Sequence, residues 1–157
     1  MPRVSGAGSL IRGVSVEMSD VPPDIYDRVR ELVLGMVNAT GAGDDALNDS
    51  LHQQLLAYYE EQTRLGRVEP MLTEAVADHT ADRVVAVRYY ELSLEQARRF
   101  PGEPLHTKMI SLAERLIEGG EFERADAYLR DCRAEAVRCE DQFAAANADE
   151  LLQQCKR

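Results

Sequence analysis

Residues 121–157 read EFERADAYLRDCRAEAVRCEDQFAAANADELLQQCKR. Phe122, Ala125, Leu129, Cys132, Ala136, Cys139, Phe143 and Ala146 recur at spacings of three and four, and no proline or glycine interrupts them. A seven-residue apolar repeat of this kind predicts one long helix whose stripe another helix must cover. Working outward, Gly119-Gly120 turns the chain, and before it Leu105, Met109, Leu112 and Leu116 mark a helix over about 104–118. So short a turn packs the two helices antiparallel. The shorter helix reaches only the first half of the longer one. Beyond about Ala136 the stripe through Cys139, Phe143 and Ala146 needs other cover: the first helix, a second subunit or a bound partner.

The remaining chain also reads as helices. Pro23 and Asp24 suit a helix start, and Ile25, Val29, Leu32 and Met36 give its apolar face. Gly41-Ala42-Gly43 ends it. Leu47, Leu51, Leu55 and Tyr58 predict the buried line of a second helix over about 44–65. A short third helix follows over 68–78, with Pro70 in its first turn. A fourth starts near Thr80 or Asp82 and stops before Pro101-Gly102, with Val85, Tyr89, Leu92 and Gln96 on one line and Ala86, Tyr90, Leu94 and Ala97 beside it. The predicted class is all-α: an antiparallel helical bundle or short divergent helical-repeat array of about six helices, with a long C-terminal helix. Glycine, serine and Pro22-Pro23 mark residues 1–22 as a flexible N-terminal arm, which leaves 23–157 as a single helical domain.

Composition narrows the function. A 157-residue chain with 45% hydrophobic residues is long enough to bury a core. Without tryptophan that core is aliphatic and alanine-rich. The net charge is −10, and each third of the chain is net negative. Nucleic-acid binding needs a cationic footprint, which this sequence lacks. No apolar run approaches 18 residues, so no membrane span is expected. Three cysteines is an odd number, and Cys132 and Cys139 stand about 10 Å apart along one helix, too far for a disulfide. Buried free thiols in a reducing cytoplasm are the simplest account.

No catalytic signature is present. His52, His79 and His106 fit no zinc motif. Gly41-Ala42-Gly43 and Gly119-Gly120 lack the lysine a phosphate loop requires. The expectation is therefore no enzyme, no cofactor and no metal ligand. The tyrosine pairs are more suggestive. Adjacent residues on a helix point about 100° apart, so one tyrosine of a pair can enter the core while the other rims a surface. Tyrosine and arginine are common at interface hot spots. Tyr59, Arg88 and Tyr89, with Cys139, Phe143 and Ala146 of the uncovered stripe, are the candidate interaction residues.

The segment LAERLIEGGEFERA, residues 112–125, followed by Tyr128-Leu129, resembles the helix, turn and helix of a tetratricopeptide repeat. Ala113 stands at that family's small position in the first helix, Gly120 and Phe122 at the turn, and Ala125 at the start of the second packing face. Tyr90, Leu94 and Ala97 recur as Ala125, Leu129 and Cys132, each 35 residues later, against a family period of 34. The resemblance covers about 80–138 and implies protein or peptide binding without catalysis. Leu65-Gly66-Arg67-Val68 imitates another such turn but lies out of period. A second resemblance is to the effector-binding helical domain of GntR-type bacterial regulators, where an acidic residue and histidines hold a metal. Asn48 or Asp49 with His52, then His106, is similar; the last histidine has no counterpart, and Cys132 is the nearest substitute. The leading expectation is a non-enzymatic adaptor, scaffold or chaperone-like module that binds protein or peptide, with a homo-oligomer among its forms. The alternative is a small-molecule or metal-sensing effector domain.

Overall fold

In a computed structural model, residues 21–156 are described. Among the described residues there are seven helices and no strands: α1 (Pro23–Gly41), α2 (Asp45–Arg64), α3 (Pro70–Asp78), α4 (Arg83–Ala97), α5 (His106–Glu118), α6 (Phe122–Arg138) and α7 (Gln142–Cys155). The all-helical class is as the periodicity predicts. None of these helices is long and apolar enough to cross a membrane. The expected arm falls outside the described residues except for Val21 and Pro22. Val21 is buried, and the Pro22 carbonyl accepts the amides of Ile25 and Tyr26 at the start of α1.

Contacts divide the chain into two compact units, one ending at Ala75 and the other running from Val76. In the first, α1 and α2 form a hairpin. The inward residues of α1 are Ile25, Val29, Leu32, Met36 and Ala39, at spacings of three and four. The turn closes at Gly43, whose positive φ of 72° suits a residue without a Cβ. Asp44 then caps α2 by accepting the Leu47 amide at 3.0 Å. Asn48 ties the hairpin shut by donating to the Met36 carbonyl (3.1 Å) and the Thr40 hydroxyl (2.7 Å). At the far end, Arg67 meets both oxygens of Asp24 at 2.8 Å. Of the predicted inward line of α2, Leu55 is buried and Leu51 and Tyr58 are half-buried, Gln62 continues it, and Leu47 alone departs at 44% exposed.

The second unit packs α4 to α7 around Tyr90, Leu94, Leu112, Leu116, Leu129 and Cys132. Helix α4 faces inward through Ala86, Val87, Tyr90, Leu94 and Ala97; of the neighbouring line, Val85 and Leu92 are exposed, Tyr89 is half-buried and Gln96 is buried. Gly120, at φ 76°, turns α5 into α6, and the Glu121 amide reaches back to the Leu116 carbonyl at 2.9 Å.

The single long C-terminal helix is the main correction. It breaks after Arg138, and α7 folds back on α6. Glu140 has a φ of 59° and is the one non-glycine residue with positive φ among those described. The Asp141 amide donates to the Ala136 carbonyl (2.8 Å) and the Glu140 amide to that of Val137 (3.0 Å). These two bonds are the Schellman closure of a helix end. Glutamate in this conformation costs about 1–2 kcal/mol. Two gains offset it. Asp141 Oδ1 caps α7 by accepting the Ala144 amide at 3.0 Å, a contact of about 1 kcal/mol. The fold-back also buries Ala144, Ala148, Leu151 and Leu152. A straight helix would leave those four without cover.

Candidate functional site

The α6–α7 turn gathers three of the six candidate residues. Cys139 ends α6, while Phe143 and Ala146 lie in the first turns of α7, and all three are exposed. Phe143 is 84% exposed, the most of any large apolar side chain described. Val137, also exposed, lies just before the turn. The stripe drawn through Cys139, Phe143 and Ala146 is therefore not the packing face of α7, which looks inward through Ala144, Ala148, Leu151 and Leu152.

The other three candidates lie elsewhere. Tyr59 is half-buried on α2 in the first unit. Tyr89 is half-buried on α4 against the second unit's core, while its neighbour Tyr90 enters that core and donates to Asp78 Oδ1 at 2.5 Å. This is the division of labour expected of a helical tyrosine pair. Burial pushes the Asp78 carboxyl above its usual range, against the opposing effect of the Tyr90 hydrogen bond. Exposed Arg88 lines a cleft of about 270 Å³ with Val84, Val87, Glu91, Glu121 and Arg124. There Arg124 bridges Glu91 (2.6 Å) and Glu121 (2.7 Å), and the Tyr128 hydroxyl donates to Glu91 at 2.9 Å. The acids of this cleft are thus already engaged by Arg124.

Beneath the α6–α7 turn lies a cluster that sequence reasoning missed. His106 opens α5 and is buried, with 6% of its surface exposed. Its Nε2 stands 3.0 Å from Asp141 Oδ2. Its Nδ1 is buried without a hydrogen-bond partner. One ligand atom from each of His106, Glu135 and Cys139 falls within 4.8 Å of the others. The Cys139 thiol donates to Glu135 Oε2 across 3.9 Å, while Arg138 engages Glu135 Oε1. Cys132 lies alongside, its thiol donating to the His106 carbonyl at 3.3 Å. Burial first, then the nearby Asp141 and Glu135 charges, push the Cys132 thiol up to about 11. Asp141 is held below the usual carboxylate range by the Ala144 amide and by His106. Only the Glu135-x-x-x-Cys139 spacing on one helix hinted at this cluster, since His106 is 35 residues from Asp141 in the chain. His52 is not part of it and belongs to the first unit.

Comparisons with protein-family models, with curated proteins and with solved structures find no match.

Proposed function

We propose that this chain is a non-enzymatic helical interaction module that recognises protein or peptide, with the α6–α7 turn as its recognition surface. The observation that carries this reading is Phe143. The fold places this aromatic side chain outside while it buries every leucine of the same helix. Contact with a partner would recover its apolar surface, and aromatic side chains are the usual anchors of such contacts. Cys139, Ala146 and Val137 are exposed in the same stretch of chain.

The tetratricopeptide-like reading supports the same class of function. Tyr90, Leu94 and Ala97 and their counterparts Ala125, Leu129 and Cys132 are all buried. Gly120 takes a positive φ at the position where the resemblance requires a turn glycine. The three free thiols suit a reducing compartment such as the cytoplasm.

Light scattering and extract capture with wild-type protein and a Phe143→Asp variant test the proposal. Loss of self-association or of a captured protein, with the melting temperature retained, is the expected result. Identical mass and identical captured proteins in both would overturn it. A metal role has its support in the His106 cluster.

A further inference from the structure

We infer that His106, Glu135 and Cys139 form a binding site for a divalent ion of the zinc class, with Asp141 as the residue that positions the imidazole. This inference does not rest on the proposed function, although Cys139 belongs to both the recognition surface and the site.

The donor set is one imidazole nitrogen, one thiolate sulfur and one carboxylate oxygen. Such a mixture suits zinc, and it suits magnesium or calcium poorly because those ions prefer oxygen alone. Zinc bonds of about 2.0–2.3 Å in a tetrahedron separate neighbouring ligand atoms by about 3.3–3.8 Å. The Cys139 Sγ to Glu135 Oε2 distance of 3.9 Å is already close to that edge, and the whole triad lies within 4.8 Å. A contraction of at most about 1 Å on any edge brings the three atoms to zinc-ligand separations.

The surroundings fit the same role. Arg138 engages Glu135 through Oε1, which leaves Oε2 toward Cys139. Asp141 divides its carboxylate: Oδ1 caps α7 and Oδ2 faces His106 Nε2. A carboxylate that accepts one imidazole N–H fixes the tautomer and orients the ring, as second ligand shells do around metal-bound histidines. The lone pair then resides on Nδ1, which is buried and has no hydrogen-bond partner. His52 Nε2 is likewise buried without a partner, but among the described residues it is His106 that stands beside a thiol and a carboxylate within reach of one ion. Zinc binding displaces the Cys139 thiol proton to solvent as the metal–sulfur bond forms, with no change of oxidation state. Three protein ligands leave a fourth position for water, and the exposure of Cys139 gives the ion a way in.

Cobalt(II) and zinc titrations of the reduced full-length chain test the site. The expected result is one ion per chain, a cobalt–thiolate charge-transfer band, and competition of zinc for the cobalt. Cys139 is exposed, so Cys139→Ser leaves the fold intact; it should abolish the band and weaken zinc binding by at least about 100-fold. Cys155→Ser should preserve both. Asp141→Asn still caps α7, but its amide cannot cap and also accept from Nε2; the band should remain while affinity falls about 10–100-fold. No bound ion, or a band that survives Cys139→Ser, would overturn the assignment. So would equal loss in Cys155→Ser.

Discussion

Replacing Phe143 with serine should leave the isolated chain almost as stable as before. The side chain is 84% exposed, so about a sixth of its surface is covered. A phenylalanine carries about 200 Å² that can be buried, and a sixth of it is about 30 Å². At about 25 cal/mol per Å² the loss is about 0.8 kcal/mol, and a denatured state that is itself compact makes this an upper value. For a chain of this length the melting temperature should fall by less than about 4 °C. Leu129→Ala is the contrast. Leu129 is fully buried, and its truncation should destabilise by about 2–5 kcal/mol through lost burial and an unfilled cavity. Urea denaturation at several protein concentrations reads both. If the gap between wild type and Phe143→Ser widens as concentration rises, Phe143 is buried between copies. A loss above about 2 kcal/mol that does not depend on concentration would refute the placement of Phe143 outside the core.

Further expectations follow from the turns, the buried acid and the thiols. Glu140→Gly relieves a left-handed glutamate and should be neutral to stabilising by up to about 1 kcal/mol, whereas Gly120→Ala at φ 76° should destabilise by about 1 kcal/mol; thermal melts distinguish the signs. Burial holds the Asp78 pKa above its unfolded value of 3.8, so the folded chain binds this proton more tightly. Its contribution to stability therefore decreases as pH rises from about 3.8 to the elevated folded pKa. Asp78→Asn keeps an acceptor for Tyr90, and its advantage over wild type should grow across that window in urea melts at stepped pH. Thiol titration of the metal-free native chain should modify Cys139 first and Cys155 more slowly, with Cys132 reacting only on unfolding.

The legible parts of this fold are those where backbone chemistry and apolar spacing agree. Pro23 and the spacing of Ile25, Val29, Leu32 and Met36 placed α1 and its inner face. Gly119-Gly120 located the α5–α6 turn because glycine is the usual residue at a left-handed helix end. The α6–α7 turn was hidden for the opposite reason. Glu140 occupies that conformation, good helix formers flank it, and Cys139, Phe143 and Ala146 extend the apolar spacing straight through the break. Asp141 as a cap, with Ala148, Leu151, Leu152 and Cys155 out of phase with the earlier stripe, was the signal that could have revealed it. On α4, two neighbouring apolar lines competed, and periodicity alone could not choose which faces inward. The His106 cluster depends on tertiary contact between α5 and the turn, so no local pattern encodes it.

Both the recognition surface and the placing of Asp141 against His106 require that the chain double back at Glu140. The ion pair between Arg133 Nε and Asp149 Oδ1, 2.6 Å across the hairpin, offers the most direct test. Nitroxide labels at Arg133→Cys and Asp149→Cys, with Cys139 and Cys155 replaced by serine, measure the separation of the two positions. Packed neighbouring helices place them about 10 Å apart, and strong dipolar broadening is the predicted result. A continuous helix would hold them about 24 Å apart along its axis. A sharp distance near that value would contradict the hairpin, and with it the recognition surface and the Asp141 contact that positions His106.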